Sequence, residues 1–217
     1  MDQETQYQLE RMQMAAEQLE RRGIVDARVL QAMRSVPRHR FVPVQYRDLS
    51  YSDGPVPIGE GQTISQPFIV ALMSQMLALH GDETVLEVGT GSGYQAAVLG
   101  HLAKQVYTIE RHALLAKRAS KELQELGLSN VLVYVGDGSL GLLQHAPFDA
   151  ILVTAAAPET PRVLLEQLAP GGRLVIPVGS RGAQFLERWQ HKGAAYKQDV
   201  SIPVAFVPLV GRHGWRE

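Results

Sequence analysis

The sequence predicts an α/β fold with a mostly parallel sheet covered by helices on both faces. Short apolar runs alternate with amphipathic helical patterns through the middle of the chain, and a glycine-rich turn joins the first run to a helix. Near the end of the chain two apolar runs follow each other without a helix between them. This last pattern predicts antiparallel strands at one edge of the sheet.

Composition limits the classes of function. The chain has 217 residues, 45% of them hydrophobic and 20% charged, which suits one α/β domain. A net charge of −1 argues against a broad nucleic-acid-binding face, and the lack of cysteine excludes disulfides, thiolate metal sites and a cysteine nucleophile. The N-terminus lacks the apolar core of a signal peptide, and no apolar run approaches a membrane span. We therefore expect a cytoplasmic monomer without a membrane or nucleic-acid partner.

Residues 1–60 are predicted to form an N-terminal helical flank or lid on the core. Apolar residues at helical spacing predict a helix over 7–22 that Gly23 ends, and Asp26 is suited to cap a second helix. Four prolines then make the chain irregular up to residue 61. The basic run Arg38–His39–Arg40 is interpreted as solvated surface charge.

Residues 61–180 are predicted to form the core of a single domain, and residues 181–217 its C-terminal strands. Pro67 suits the first turn of a helix over 68–79. The predicted parallel strands are Thr84–Val88, Val106–Ile109, Val131–Val135, Ala150–Val153 and Arg173–Val178. The helices predicted between them cover 94–102, 112–126 and 161–168, and the final strands cover Gln184–Gln190 and Val204–Leu209.

The glycine-rich turn Gly89-Thr90-Gly91-Ser92-Gly93 follows the first of these strands. Such a turn lets a ligand touch backbone N–H groups at a helix N-terminus, although tight packing also selects glycine. It is not the dinucleotide pattern G-x-G-x-x-G, because Tyr94 stands where the third glycine belongs. Glu87 just before it would repel a pyrophosphate but suits a ligand that carries an ammonium group.

Two further acids follow the next two strands. Glu110 lies about 20 residues past the glycine turn, where an acid binds ribose hydroxyls, although a solvated strand-end charge is the alternative. Asp137, before Gly138, is read as a contact to a base edge or as a plain Asp-Gly turn. A ligand with an ammonium group, a ribose and an adenine amine satisfies all three acids. S-adenosylmethionine, which leaves S-adenosyl-L-homocysteine as product, is that ligand.

At this point the sequence resembles a known family. The glycine turn, Glu110 and the segment 136–138 are similar to the Rossmann-like class of S-adenosylmethionine-dependent methyltransferases. Within that class the chain resembles the protein-L-isoaspartate (D-aspartate) O-methyltransferase family over nearly its whole length. The segments that carry this resemblance are 36–38, 41–43, 59–67, 85–97, 153–157, 171–179 and 206–209.

The resemblance implies a reaction and a set of site residues. Enzymes of this family methylate the free α-carboxylate of L-isoaspartyl residues, and some D-aspartyl residues, in damaged proteins. The ester then collapses to a succinimide, which partly hydrolyses to aspartate. Carried onto this sequence, the family implies a catalytic role for Ser65 and substrate binding by Thr63 and Ser65. It implies cofactor binding by Gln62, Thr63, Ile64, Ser65, Glu87, Gly89, Gly91, Gly93, Glu110, Asp137, Gly138 and Thr154, with no metal.

The sequence contains no compelling general base. Its seven histidines are scattered and show no H-E-x-x-H spacing, and there is no G-x-S-x-G motif. A carboxylic acid with a pKa of about 4 is already ionised at neutral pH, so its methylation needs alignment and no proton removal.

Some alternatives stay open at this point. Ser65 could cap the helix after Gln66-Pro67 instead of contacting substrate. The function could also be that of a small-molecule or RNA methyltransferase on the same fold, or of a non-catalytic binding module. Val210 departs from relatives that have threonine there, which leaves a hydroxyl contact from this position in doubt.

Overall fold

A seven-stranded sheet forms the centre of the molecule. The computed structural model describes residues 2–180 and 182–216, without the side chains of residues 200 and 201. The strands are β1 (Val56–Gly59), β2 (Gln62–Ile64), β3 (Thr84–Val88), β4 (Gln105–Glu110), β5 (Val131–Val135), β6 (Phe148–Val153), β7 (Leu168–Ser180), β8 (Ala183–Lys192) and β9 (Ala195–Val204). The α-helices are α1 (Gln3–Met14), α2 (Ala27–Ser35), α3 (Pro67–Leu77), α4 (Tyr94–Gly100), α5 (Ala113–Glu125) and α6 (Arg162–Leu165).

The sheet order confirms the predicted fold class. The order is β5-β4-β3-β6-β7-β8-β9, with the first five strands parallel and β8 and β9 antiparallel to their neighbours. The chain builds outward from β3 through β4 to β5 and then crosses to the other side of β3. The neighbours β3 and β6 therefore form a topological switch point, where sheets of this type bind ligands.

Side chains on the two faces of the sheet pack into two separate hydrophobic cores. Val85 of β3 packs in the core formed with α2, α3 and α4, whereas Leu86 packs in the opposite core with α6. Two apolar faces explain why the central strands are almost continuously hydrophobic. A smaller antiparallel hairpin, β1–β2, stands outside this sheet.

The N-terminal flank follows its predicted signals. Asp26 accepts hydrogen bonds from the backbone N–H groups of Arg28 and Val29 and so caps α2. Gly23 ends the first helical segment at φ +93°. That segment begins at Gln3 and passes through a π-helical turn at Ala15–Leu19 and a 3₁₀ turn at Glu20–Arg22.

The interpretation of Arg38–His39–Arg40 as solvated charge is wrong for two of its residues. Arg38 has no exposed surface and His39 is 4% exposed, in a 3₁₀ turn at Arg38–Phe41. The His39 ring stacks on Tyr7, 4.0 Å between centroids, and its Nδ1 lies 2.9 Å from the Tyr51 hydroxyl. Burial lowers the pKa of His39. Charge density in the sequence did not reveal that the flank folds back over this turn.

The predicted strand Val204–Leu209 is also wrong. The last strand is β9, and residues 205–209 are irregular apart from a one-residue bridge between Pro208 and Ala156. The sequence of β9 is polar because this edge strand is largely exposed, so its pattern does not show the apolar alternation of a half-buried strand. The predicted helix over 161–168 is only the short α6, and β7 begins five residues earlier than predicted.

Within the described ranges, none of the helices combines the length and apolar character needed to cross a bilayer.

Candidate active site

A pocket opens at the carboxyl edge of the sheet beside the switch point. The ends of β3, β4 and β6 form its floor, the β1–β2 hairpin covers one side, and the irregular segment 207–210 covers another. Its lining comprises Gln62, Thr63, Ile64, Ser65, Val70, Met73, Val88, Gly89, Thr90, Gly91, Ser92, Tyr94, Gln95, Ile109, Glu110, Arg111, His112, Gly138, Thr154, Ala155, Val207, Pro208, Leu209 and Val210.

The glycine turn follows β3 at the floor of the pocket, and a side chain would not fit at Gly89. Gly89 has φ +97°, and a Cβ atom at this position would collide with Oγ1 of Thr154. The Thr154 hydroxyl lies 2.6 Å from the Gly89 carbonyl and donates to it. Gly93, also at positive φ, precedes α4 and packs against Ala119, outside the pocket lining. At Gly89 and Gly91 the turn therefore presents bare backbone to a ligand.

Glu110 holds the turn in place and also faces the pocket. One carboxylate oxygen accepts a hydrogen bond from the backbone N–H of Gly91 at 2.8 Å, and the other accepts from the N–H of His112 at 2.9 Å. Carboxylate oxygens have further lone pairs, so the group can still accept from a ligand hydroxyl. The role predicted for Glu110, to accept from ribose hydroxyls, stays a prediction.

Glu87 lies beneath the glycine turn, with no exposed surface, and is absent from the pocket lining. Its side chain points to the same face of β3 as that of Val85, toward the core formed with α2, α3 and α4, because alternate residues of a strand share a face. The Thr108 hydroxyl donates to one of its oxygens and lies 2.6 Å from the Thr90 hydroxyl, while the other oxygen is buried without a partner among the described residues. The structure places Glu87 below the turn and outside the pocket lining, and its predicted contact with an ammonium group stays a prediction.

The buried position changes the acidity of Glu87. Burial raises its pKa to about 8, against the lowering effect of the Thr108 hydrogen bond, and the nearby charge of Glu110 raises it further. At neutral pH the group is mostly protonated in the free protein. A cation bound above the turn would favour the ionised form.

Asp137 is held by the C-terminal segment. One of its oxygens accepts from the backbone N–H and the hydroxyl of Ser139, at 2.9 and 2.7 Å, and the other accepts from the N–H of Arg212 at 2.8 Å. Burial raises its pKa, but the hydrogen bonds of Ser139 and Arg212 outweigh this and lower it overall. Asp137 therefore lies beside the pocket and fixes its wall, whereas Gly138 reaches the lining itself.

The segment Gln62–Ser65 lies across the pocket from the glycine turn. Gln62, Thr63 and Ile64 form β2, which pairs with β1, and the buried Ile64 faces inward. The Ser65 hydroxyl has no hydrogen-bond partner among the described residues. The residue that caps α3 is Gln66, and its side chain makes no capping hydrogen bond. The alternative in which Ser65 caps the helix is therefore not observed.

Several lining residues were not among the predicted site residues. His112 follows Glu110 by two residues, and its Nδ1 lies 3.7 Å from a carboxylate oxygen of Glu60. Gln95 donates to Ser74, and Leu209 and Val210 arrive from the C-terminus. His112 could have been predicted as a site residue because it lies just after a strand end. Residues 207–210 could not, because no local sequence pattern indicates that they lie at this edge of the sheet.

The donors and shapes present fit the predicted cofactor. Bare backbone at Gly89 and Gly91 suits close approach by a ligand, and Glu110 can accept from hydroxyls. Below the turn, Glu87 has one carboxyl oxygen without a partner, and its ionised form would place a negative charge near a cationic ligand. Among the described residues, no three acidic or histidine side chains are arranged to hold a metal ion.

The class of protein follows from this fold and this pocket: a Rossmann-like methyltransferase that uses S-adenosylmethionine. The family model for protein-L-isoaspartate(D-aspartate) O-methyltransferase matches residues 10–214. The chain therefore belongs to the protein-L-isoaspartate(D-aspartate) O-methyltransferase family.

Individual relatives agree with this assignment. The chain is 55% identical to protein-L-isoaspartate O-methyltransferase 1 of Syntrophobacter fumaroxidans, over 96% of this chain and 98% of that protein. It superposes with a TM-score of 0.82 on a solved protein-L-isoaspartate O-methyltransferase, at 27% identity, over 94% of this chain and 67% of the other. A Plasmodium falciparum protein of the same description, solved in complex with S-adenosyl-L-homocysteine, gives a TM-score of 0.80 at 27% identity, over 92% and 98% of the two chains.

Proposed function

We propose that this protein transfers the methyl group of S-adenosyl-L-methionine to the free α-carboxylate of L-isoaspartyl residues in damaged proteins, with activity on D-aspartyl residues as a further expectation. The single observation that supports it best is the half-buried Ser65 hydroxyl, which lacks a protein partner and shares one pocket with the glycine turn. A hydroxyl in that state is available to donate to a substrate oxygen.

The chemistry requires little from the protein. When bound, S-adenosylmethionine supplies a methyl group on a positively charged sulfur that leaves as a neutral thioether. The substrate carboxylate is ionised at neutral pH, since a free α-carboxyl has a pKa of about 3.5. The pocket must therefore exclude water and hold one carboxylate oxygen in line with the methyl carbon and the sulfur.

Ser65 and Thr63 position the substrate in this scheme. Their hydroxyls donate to the carboxylate without adding a formal charge, so they orient it with less loss of nucleophilicity than a direct ion pair would cause. Thr63 is exposed at the hairpin surface, whereas Ser65 is half-buried, so Ser65 is the closer of the two to a water-excluded position. We assign Ser65 the catalytic role and Thr63 a substrate-binding role.

The cofactor is proposed to lie between the hairpin and the glycine turn. Gln62, Thr63, Ile64 and Ser65 would hold it from one side, and Gly89, Gly91, Gly138 and Thr154 from the other. Glu110 would accept from the ribose hydroxyls. Three further residues would act from just outside the pocket. Glu87 would supply charge beneath the turn, Gly93 would shape the start of α4, and Asp137 would hold the adjoining wall.

A labelling assay tests the proposed reaction. The protein is incubated with methyl-labelled S-adenosylmethionine and an isoaspartyl peptide, the same peptide with normal aspartate, or RNA. Only the isoaspartyl peptide should gain label, and the label should be lost in mild base because it is a methyl ester. Equal labelling of the aspartyl peptide, or labelling of RNA alone, would contradict the proposal.

The role of Ser65 is tested separately by Ser65→Ala. Without the hydroxyl the carboxylate is less well oriented toward the methyl group, so the turnover number should fall by roughly 10- to 100-fold while cofactor affinity stays within about threefold. Ser129→Ala is the matched control, because Ser129 is exposed before β5 at the opposite edge of the sheet. Wild-type turnover in Ser65→Ala would remove this residue from the mechanism.

The oligomeric state and the cellular compartment of the protein are also proposals. We propose a monomer in the cytoplasm that binds neither nucleic acid nor membranes. The near-neutral charge supports the lack of a nucleic-acid partner, and the cysteine-free sequence suits a reducing compartment. Light scattering during size-exclusion chromatography tests the monomer, and a mass of two chains would contradict it.

A further inference from the structure

Arg38 is a buried cation without an acidic partner among the described residues. Its side chain has no exposed surface. Its Nε donates to the Ser50 carbonyl at 2.7 Å, its Nη2 donates to the Ser65 carbonyl at 2.8 Å, and its Nη1 is buried without a partner. Burial lowers its pKa to about 10, which still leaves the group charged. Burying a charge is costly, so the position calls for a reason beyond packing.

The guanidinium lies outside the pocket lining and contacts two residues that belong to it. Besides the Ser65 carbonyl, it lies over the ring of Tyr94, with 4.8 Å between Cζ and the ring centroid. Ser65 and Tyr94 both line the pocket, the first across from the glycine turn and the second immediately after it. A single buried group in the N-terminal flank therefore contacts both the segment Gln62–Ser65 and the start of α4.

We propose that Arg38 is a positioning residue for Ser65, acting through the Ser65 carbonyl. This inference rests on the proposed function, because it assumes that the Ser65 hydroxyl contacts the substrate. Holding the carbonyl fixes the Ser65–Gln66 peptide plane, and that plane restricts where the Ser65 Cβ and hydroxyl can point. The planar fork of arginine donates to Ser50 and Ser65 at once, which the single ammonium of a lysine does less rigidly.

If Arg38 served only the stability of the fold, its replacement would not cause a loss of turnover that depends on Ser65. Arg38→Met removes the desolvation cost of the buried charge, but it also leaves the carbonyls of Ser50 and Ser65 without this donor. These two effects oppose each other, so Arg38→Met is expected to fold, and the proposed role is judged by how its loss of turnover depends on Ser65 rather than by melting temperature. Arg28→Met is the matched control, since Arg28 also joins the flank to the core through two carbonyls, those of Leu79 and Leu102. Both of these carbonyls lie before strands, at the edge of the sheet opposite the pocket.

A double-mutant cycle tests the proposal. Turnover of an isoaspartyl peptide is measured for wild type, Arg38→Met, Ser65→Ala and the double variant, and S-adenosylhomocysteine affinity is measured by calorimetry for each. Arg38→Met should lower turnover about tenfold in the wild-type background but less than twofold in the Ser65→Ala background. Cofactor affinity should change less than about threefold, and Arg28→Met should keep wild-type turnover.

Each other outcome has a defined meaning. The same loss of turnover in both backgrounds would overturn the proposal, because Arg38 would then act independently of Ser65. Wild-type turnover of Arg38→Met would also overturn it. Wild-type turnover of Ser65→Ala alone would instead refute the proposed role of Ser65. If Arg38→Met does not fold, Arg38→Lys enters the same cycle, since it keeps the charge but weakens the double donation.

Discussion

Replacing Glu87 by glutamine should change how the stability of the protein depends on pH. Glu87 is fully buried, and burial raises its pKa to about 8 from an ordinary value of 4.5. Glutamine has nearly the same shape and can still accept the hydrogen bond from Thr108, but it does not titrate. The difference between the two proteins therefore isolates the ionisation of this one carboxyl group.

The sign and size follow from the two pKa values. Below about pH 4.5 the carboxyl is protonated in the folded and unfolded states, and its contribution to stability is fully present. Between about pH 4.5 and 8 only the unfolded chain ionises, so stability is lost as pH rises, by about 1.4 kcal/mol per pH unit. The total is about 5 kcal/mol, and the loss stops above about pH 8.

Urea denaturation of the free protein measures this effect. From about pH 5.5 to about pH 7.5, the unfolding free energy of wild type should fall by about 3 kcal/mol relative to Glu87→Gln. Glu83→Gln is the control. Burial raises the pKa of Glu83, but the N–H groups of Gly81 and His80 outweigh it and lower the pKa overall, so this residue titrates below the window. A constant difference between wild type and Glu87→Gln would refute the account of a neutral Glu87.

Three further substitutions test other parts of the site. Gly89→Ala adds a Cβ that collides with Thr154 at φ +97°, so S-adenosylhomocysteine affinity measured by calorimetry should fall at least about tenfold; unchanged affinity would show that the turn can adapt. Asp137→Asn cannot accept well from both Ser139 and Arg212, so chemical denaturation should show a loss of about 1–2 kcal/mol, and no loss would mean that the C-terminal segment is held by other contacts. His112→Asn should retain turnover within about twofold, because the mechanism needs no base, and a hundredfold loss would identify one.

The core of the fold could be predicted because its signals are local. Thr84–Val88 and Val131–Val135 are strands with the predicted bounds, since each is an apolar run ended by glycine or a polar residue. Asp26 caps a helix and Gly23 ends one, and both effects involve only backbone groups a few residues away. These two roles were therefore also predictable from the sequence.

The errors concern residues whose environment depends on distant parts of the chain. Arg38 lies in a basic run that is typical of a surface, but the flank encloses it against Tyr94 and Ser65. The apolar run 204–209 resembles a strand, yet most of it leaves the sheet and closes the pocket instead. For the site, sequence patterns identified Glu87 as important, but only the fold shows that its carboxyl lies beneath the turn.

The central claim is that the pocket aligns a carboxylate that is already ionised, so no proton is removed during methyl transfer. The most direct test is the single-turnover rate with an isoaspartyl peptide at saturating cofactor and peptide, measured from about pH 6 to about pH 9. Saturation separates the chemical step from any effect of Glu87 on cofactor binding. The account predicts a rate that changes less than about twofold across this range. A rate that rises about tenfold per pH unit to a plateau near neutrality, and that loses this rise in His112→Asn, would contradict it.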